Sequence, residues 1–292
     1  MPNLKDIRRR IRSVKNTQQI TKAMKMVSAA RLRRAQERVV AARPYAGTMQ
    51  RVLEGLAARA GEYSHPLLEE RGDEKYLVVL VTSDKGLCGA FNTNLIKAAQ
   101  TFIRNNAEKT VEMVPVGRRG RDFFRRRSIS FVTEYVGVGA KGASYDEAAD
   151  VARRVIDAYS DEAQGFDKVF LIYNEFRSAI SQKLVQKQIL PIGGLEAGEG
   201  DAAANEVDYI YEQPPDVIFA RLLPKYIETQ IFQALLESTA SEHGARMTAM
   251  DSATKNAAEL IERLTLFANR VRQAAITNEI IEVVSGAQGL HK

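Results

Sequence analysis

The N-terminal end of the chain carries a long helical pattern of apolar and polar positions. Over residues 4–60 the only proline is Pro44, and apolar residues recur at helical spacing. They follow the alternating three- and four-residue steps of a coiled-coil seam, with a slip of register near Gln18 and Gln19. The predicted seam comprises Leu4, Ile7, Ile11, Val14, Ile20, Met24, Val27, Leu32, Ala35 and Val39. At about 1.5 Å per residue, such a helix is roughly 80 Å long.

The C-terminal end repeats this pattern. After Pro214 and Pro215, a helix is predicted over residues 217–285. Its apolar stripe comprises Ile227, Ile231, Leu235, Met247, Met250, Ala257, Ile261, Leu264, Ala268, Val271, Ala275 and Ile281. A single long helix cannot bury such a stripe against itself, because the stripe needs a second surface of matching length. The N-terminal helix is the only candidate in the chain, so the two ends are predicted to pair.

The middle of the chain alternates between strand and helix patterns. Residues 76–82 form a continuous apolar run typical of a buried parallel strand. Further strands are predicted at residues 111–116, 129–136, 168–173 and 185–189, and helices at 94–105 and 144–163. The predicted fold class is therefore α/β. The predicted domains are an N-terminal coiled-coil helix at 1–60, a central α/β domain at 75–200, and a C-terminal coiled-coil helix at 207–292 that pairs with the first.

Positive charge is concentrated at one end of the chain. The net charge is +6, yet residues 1–38 contain twelve Lys or Arg against two acidic residues. Such a segment suits nucleic acid, an anionic membrane or an acidic protein surface, and charge alone does not choose among them. No aromatic residue is interleaved to stack on bases, so protein-facing or solvated arginine is favoured. A basic coiled-coil nucleic-acid-binding protein stays as an alternative.

The expected compartment is reducing. The single cysteine, Cys88, cannot form a disulfide within the chain. The N-terminus lacks the apolar run of a secretory signal, and no stretch of about 18 residues is free of charge. The sequence therefore predicts a chain that is neither exported nor membrane-spanning.

Gly137, Gly139 and Gly142 spell the G-x-G-x-x-G pattern that binds a dinucleotide pyrophosphate. However, the pattern does not follow the first strand of the domain. Ser144 and Glu147 also form a capping box that starts the next helix after the third glycine, whereas in the cofactor fold that glycine lies within the helix. A flexible loop is therefore favoured, and no cofactor is predicted. The alternative is a nucleotide-binding α/β enzyme that uses the 137–142 glycine loop.

No catalytic residue is predicted. The phosphate-binding G-x-x-x-x-G-K-[ST] sequence is missing, and none of the three histidines lies in a segment that suits Ser-His-Asp chemistry. Cys88 follows the first strand, where open α/β sheets bind ligands, but no histidine lies near it in the sequence. A buried or turn thiol is the favoured interpretation.

Three segments resemble the gamma subunit of rotary (F-type) ATP synthases. They are residues 20–27 (ITKAMKMV), residues 83–89 (SDKGLCG), and the terminal run from residue 245 (ARMTAMDSAT) through 269–277 (NRVRQAAIT) to Gly286 and Ala287. The likeness covers the chain from end to end and is most specific in the terminal run. It implies a long antiparallel coiled coil of the N- and C-terminal helices with an inserted Rossmann-like α/β domain.

The resemblance further implies a non-catalytic rotor shaft. Its coiled coil would penetrate a ring of alpha and beta subunits and couple proton-driven rotation of the c-ring to ATP synthesis or hydrolysis. Residues 276–290 would form an apolar tip seated in the top of that ring. The family positions that contact the beta subunit or lie in the coupling region correspond to Met24, Arg246, Arg272 and Gln273.

The globular domain would lie near the epsilon subunit and the c-ring. Tyr209 and Tyr211 match a region at this foot of the shaft. The implied location is peripheral, on the cytoplasmic face of the bacterial inner membrane, with no nucleic-acid partner.

Overall fold

The computed structural model describes residues 3–60, 65–139, 142–161, 163–193 and 215–290. Its elements are α1 (Leu4–Ala60), β1 (Lys75–Val81), α2 (Phe91–Asn105), β2 (Thr110–Val116), α3 (Arg118–Arg125), α4 (Tyr145–Ser160), β3 (Lys168–Phe176), β4 (Gln182–Leu190) and α5 (Pro215–Leu290). The chain divides into two compact units, and α1 and α5 contribute to both. The first unit is Met1–Val27 with Met247–Lys292, and the second is Ser28–Arg246.

The first unit contains an antiparallel pair of helices. The hydroxyl oxygens of Thr21 and Thr254 lie 2.8 Å apart, and Lys25 Nζ lies 2.6 Å from Asp251 Oδ1. Residue numbers therefore rise along α1 as they fall along α5. Together with the inserted Rossmann-like domain, this arrangement confirms the predicted fold class.

The seam of α1 keeps an unbroken three-and-four spacing. Its buried and half-buried positions are Leu4, Ile7, Ile11, Val14, Gln18, Thr21, Lys25, Ser28, Leu32, Ala35, Val39, Ala42, Ala46, Met49 and Leu53. The predicted slip of register near Gln18 is therefore wrong. Ile20 is 60% exposed, and Val27 also lies outside the seam. Thr21 and Lys25 can occupy seam positions because each has a polar partner on α5.

The seam of α5 in the first unit ends at Val271. It comprises Met250, Thr254, Ala257, Ile261, Leu264, Ala268 and Val271, and every side chain described beyond it, up to Ser285, is exposed. The predicted inclusion of Ala275 and Ile281 in the buried stripe is therefore wrong. Counting outward from the Thr21–Thr254 contact places Val271 opposite Leu4, where α1 begins. Beyond that point α1 offers no further turn to cover α5.

The second unit contains a four-stranded sheet in the order β2-β1-β3-β4. β1 is parallel to both of its neighbours, whereas β4 runs antiparallel to β3. In β1, Leu77 and Val78 point to opposite faces and both are fully buried, as expected for a central strand covered on both sides. On one face, Leu95 and Ala99 of α2 pack against β1 together with Phe124 of α3.

The predicted strand at residues 129–136 is wrong. This segment follows α3 and forms only isolated parallel bridges to β2, from Phe131 to Met113 and from Tyr135 to Val116. Pro115 lies between the two bridged positions of β2 and has no N–H group to donate. The bridges are also separated by three residues on β2 and four on the other segment, so a regular ladder cannot form.

Helix α3 was not predicted, and Gly117 explains the turn that leads into it. Gly117 has a φ of 105°, and a Cβ atom there would lie 2.2 Å from the carbonyl oxygen of Thr82. Only glycine tolerates both the backbone conformation and the close approach. The turn from β2 into α3 therefore depends on this residue.

Two isoleucines of the first unit test the observed register of the seam. Ile7 is 5% exposed, whereas Ile20 is 60% exposed. We expect Ile7→Ala to lower the free energy of unfolding by about 2 kcal/mol or more, because it leaves a cavity in the seam. Ile20→Ala should change it by less than about 0.5 kcal/mol. Urea unfolding of the two variants measures the difference, and equal losses would contradict the register.

Two glycine substitutions test the backbone at β2 and α1. Gly117→Ala should lower the free energy of unfolding by at least about 2 kcal/mol, because of its positive φ and the contact with Thr82. Gly47 lies within α1, and a Cβ atom there would meet nothing within 4 Å. Gly47→Ala should therefore raise the free energy of unfolding by up to about 1 kcal/mol. Thermal and urea unfolding would show these opposite signs.

Candidate partner-binding surfaces

The C-terminal part of α5 presents an exposed surface with a mixed character. Arg272 and Gln273, two predicted contact residues, are adjacent there and both are exposed. The same stretch carries large aliphatic side chains that are about half exposed or more: Ile276, Ile280, Ile281, Val283 and Val284. A cluster of exposed aliphatic residues of this kind is typical of a protein–protein contact. The structure thus brings the polar pair next to an apolar surface.

The N-terminal part of α1 has a second exposed apolar row. Ile20, Met26 and Val27 are exposed on α1, although polar residues occupy the seam of the same segment. Met24, the third predicted contact residue, is half-buried at the edge of that seam. Apolar residues outside and polar residues inside are the reverse of an isolated coiled coil. This segment of α1 therefore has a surface suited to a partner.

Arg246, the fourth predicted contact residue, is buried in the second unit. Its guanidinium donates to the carbonyl oxygen of Gly86 at 3.2 Å and to Glu242 Oε1 at 2.6 Å. It also lies 3.4 Å from His243 Nδ1. Burial raises the pKa of Glu242, and the Arg246 charge opposes that rise. Arg246 thus ties α5 to the turn that follows β1.

A cavity of about 360 Å³ opens beside this cluster, at the carboxyl ends of β1 and β2. On one side it is lined by a row of arginines on α1: Arg31, Arg34 and Arg38. No ion pair joins any of the three to another residue in the described part of the chain. This row was not among the residues predicted from the sequence, although the steps of three and four residues place all three on one helical face. The cavity wall is therefore basic.

The glycine loop lies at the same edge of the sheet. The N–H of Gly137 donates to Asp84 Oδ2 at 2.9 Å, and the N–H of Gly139 donates to Glu147 Oε2 at 3.2 Å. Ser144 caps α4 in the predicted capping box with Glu147. Two backbone donors that a pyrophosphate would need are therefore bonded to carboxylates of the chain itself. This geometry does not favour the nucleotide-binding alternative.

Cys88 is a buried thiol in the turn after β1, in agreement with the interpretation favoured from the sequence. Its Sγ lies 3.1 Å from Asn92 Nδ2, and Asn92 also bonds Ser83. Burial raises the pKa of the Cys88 thiol, so it is poorly suited to act as a nucleophile. The network instead fixes the turn, which exposes the side chain of Leu87.

The two remaining predicted contact residues, Tyr209 and Tyr211, lie outside the described residues. Among the helices that the structure describes, none has a stretch long and apolar enough to cross a lipid bilayer.

Comparison with known proteins decides the family. A family model described as ATP synthase matches residues 3–290. The ATP synthase gamma chain of Solibacter usitatus is 54% identical over 98% of this chain and 99% of its own length. That of Desulfitobacterium hafniense is 52% identical over 99% of this chain and 100% of its own length. The chain therefore belongs to the ATP synthase gamma-chain family. It is a non-catalytic subunit of that peripheral membrane complex, and the predicted resemblance is confirmed.

Solved structures agree with the gamma-chain fold. A chain of the Tetrahymena thermophila mitochondrial ATP synthase central stalk and c-ring aligns with a TM-score of 0.60 at 27% identity, covering 80% of this chain and 99% of its own. A chain of the Euglena gracilis mitochondrial ATP synthase aligns with a TM-score of 0.71 at 20% identity, covering 99% of this chain and 94% of its own. The second likeness supports the fold alone.

The lowered pKa of His243 makes the free energy of unfolding of this gamma-chain family member depend on pH. Burial, together with the charges of Arg246 and Arg31, lowers the pKa of His243 from 6.5 to about 4. The neutral ring is therefore favoured in the folded state. Its contribution to the free energy of unfolding is present above pH 6.5 and is lost as the pH falls towards about 4.

The variant His243→Gln isolates this contribution, because glutamine is polar and does not titrate. We expect the native chain to lose more stability than the variant between about pH 7 and about pH 4.5. Urea unfolding of both proteins across this range measures the difference. Parallel pH profiles would show that His243 is not the group responsible.

Proposed function

We propose that this chain is the central rotor shaft of an ATP synthase. It couples proton-driven rotation of the c-ring to ATP synthesis or hydrolysis in the hexamer of alpha and beta subunits, and the epsilon subunit is a further partner. The observation that carries this proposal is the full-length match to ATP synthase gamma chains. A helical shaft needs no chemistry of its own, because contacts that differ between two states of a partner are enough to shift it from one to the other.

The exposed end of α5 is the proposed contact with the catalytic ring. Arg272 and Gln273 would bind an acidic loop of the beta subunit, and residues 276–290 would form an apolar tip seated in the top of the ring. The exposure of the side chains at residues 272–285 supports this role, since α1 does not cover this part of α5. The aliphatic side chains described there supply the apolar contact.

Met24 and Arg246 are proposed to act in the coupling region by different routes. Met24 lies beside the exposed apolar row of α1 and would contact the beta subunit directly. Arg246 is buried and bonded to Gly86, so it would act by positioning the turn at residues 83–89. The exposed Leu87 of that turn would then meet the partner.

The proposed foot of the shaft includes Tyr209 and Tyr211, near the epsilon subunit and the c-ring; only the family resemblance supports this. The three-part division into residues 1–60, 75–200 and 207–292 is likewise proposed. We place the complex on the cytoplasmic face of a bacterial inner membrane, in line with the bacterial relatives.

A double variant, Arg272→Ala with Gln273→Ala, tests the proposed function. Both side chains are exposed, so we expect the isolated chain to unfold with an unchanged midpoint. In the reconstituted complex, ATP-driven proton pumping per ATP hydrolysed should fall several-fold, because the contacts that couple rotation to the state of the beta subunit are removed. Acidification of vesicles and ATP hydrolysis are measured in parallel.

The matched control is Arg104→Ala with Asn105→Ala, an exposed arginine–amide pair at the end of α2. It removes similar groups from a surface that the proposal leaves outside the ring. Pumping should stay at the native ratio in this control. A native ratio in the Arg272 and Gln273 variant would refute the assigned contact.

A further inference from the structure

Strand β3 extends beyond its parallel neighbour. β1 pairs with β3 as far as Leu80 opposite Ile172, whereas β3 continues to Phe176. On the β1 side, the last backbone groups of β3 therefore have no strand partner in the described part of the chain. Buried N–H and C=O groups in this position need other hydrogen-bonding partners.

The two long helices supply partners for Phe176. Its N–H donates to Glu237 Oε2 of α5 at 2.8 Å. Its carbonyl oxygen accepts a hydrogen bond from Arg43 Nη2 of α1 at 3.1 Å. Both helices are thus bonded to the same residue of the sheet.

The next edge residue, Asn174, is bonded in the same way. Its N–H donates to Ser238 Oγ at 3.5 Å, and its carbonyl oxygen accepts from Ser241 Oγ at 3.2 Å. Both serines and Asn174 are buried. Side chains of the helices thus replace a missing strand with four hydrogen bonds to β3.

Arg43 and Glu237 also bind each other. Arg43 Nε lies 3.1 Å from Glu237 Oε1, and Arg43 Nη2 lies 3.0 Å from the same oxygen. The Glu237 side chain is only 1% exposed, whereas that of Arg43 is 46% exposed. Because the carboxylate is surrounded by protein, removing either partner alone leaves a charge or a backbone group without compensation. The pair joins α1, α5 and β3 at one point.

We propose that Arg43 and Glu237 are positioning residues that fasten the helix pair to the sheet and transmit torque between them. This inference rests on the proposed rotor function. Apolar packing is non-directional, so it resists separation more than sliding. Hydrogen bonds weaken steeply when their angles change, so the bonds to β3 oppose rotation of the helices against the sheet. The bonds at the β3 edge are therefore the stiff part of this joint.

The test uses the complete ATP synthase, assembled with variants of this chain. The hexamer is fixed to a surface, a bead is attached to the c-ring, and angular fluctuations of the stalled rotor are recorded. Arg43→Met with Glu237→Leu removes two of the four bonds to β3. We expect about a twofold larger angular variance, because about half of the directional contacts are lost. ATP hydrolysis should continue, since this chain is a non-catalytic subunit.

The matched control is Lys25→Met with Asp251→Leu. This pair also joins α1 to α5, and the change removes the same charges, but it has no bond to the sheet. The control should leave the angular variance at the native value. Equal broadening in both double variants, or none in either, would overturn the inference.

A milder variant, Ser241→Ala, keeps the test decisive if the first variant fails to assemble. It removes only the bond to the carbonyl oxygen of Asn174, so a smaller increase in variance is expected. A native variance in Ser241→Ala would then count against the inference. If the complex with the native chain does not rotate at all, the proposed rotor function itself fails. If the native complex rotates but the variants show the native angular variance, only the present inference fails.

Discussion

Each long helix carries an apolar stripe that it cannot bury alone, and the rest of the structure depends on this constraint. On α1, side chains at alternating steps of three and four residues are buried or half-buried from Leu4 to Leu53. In the first unit, polar layers interrupt the stripe at Thr21 and Lys25, where partners on α5 compensate the loss of apolar contact. Pairing therefore sets which side chains stay outside, and those are the ones available to other subunits.

The second unit is subject to a different constraint. Its sheet must be joined to helices without leaving buried backbone groups unpaired. At the carboxyl end of β3, helix side chains accept and donate the bonds that a strand would make. At the ends of β1 and β2, Arg246 binds the following turn and leaves a basic cavity beside it. Both arrangements use polar groups to position surfaces, as expected of a subunit that works through contacts and not through catalysis.

The proposed contact residues could be identified from the sequence only through the family resemblance. Periodicity and motif chemistry give no signal for a residue whose binding partner lies on another chain. Arg272 illustrates this, since its position beyond the end of the seam follows from where α1 begins. The spacing of Arg31, Arg34 and Arg38 did indicate one helical face. Only the structure shows that this face lines a cavity.

Local and periodic information determined much of the fold from the sequence alone. The two helices, the buried strand β1 and the capping box at Ser144 depend on patterns within one element, and these predictions agree with the structure. The strand predicted at residues 129–136 failed because its pairing depends on Pro115 of another strand. The slip of register predicted near Gln18 was wrong because polar residues can take seam positions when a helix distant in the sequence offers them hydrogen-bonding partners. Only the tertiary structure decided the contact between Arg43 and Glu237, since folding must first bring together residues that lie far apart in the chain.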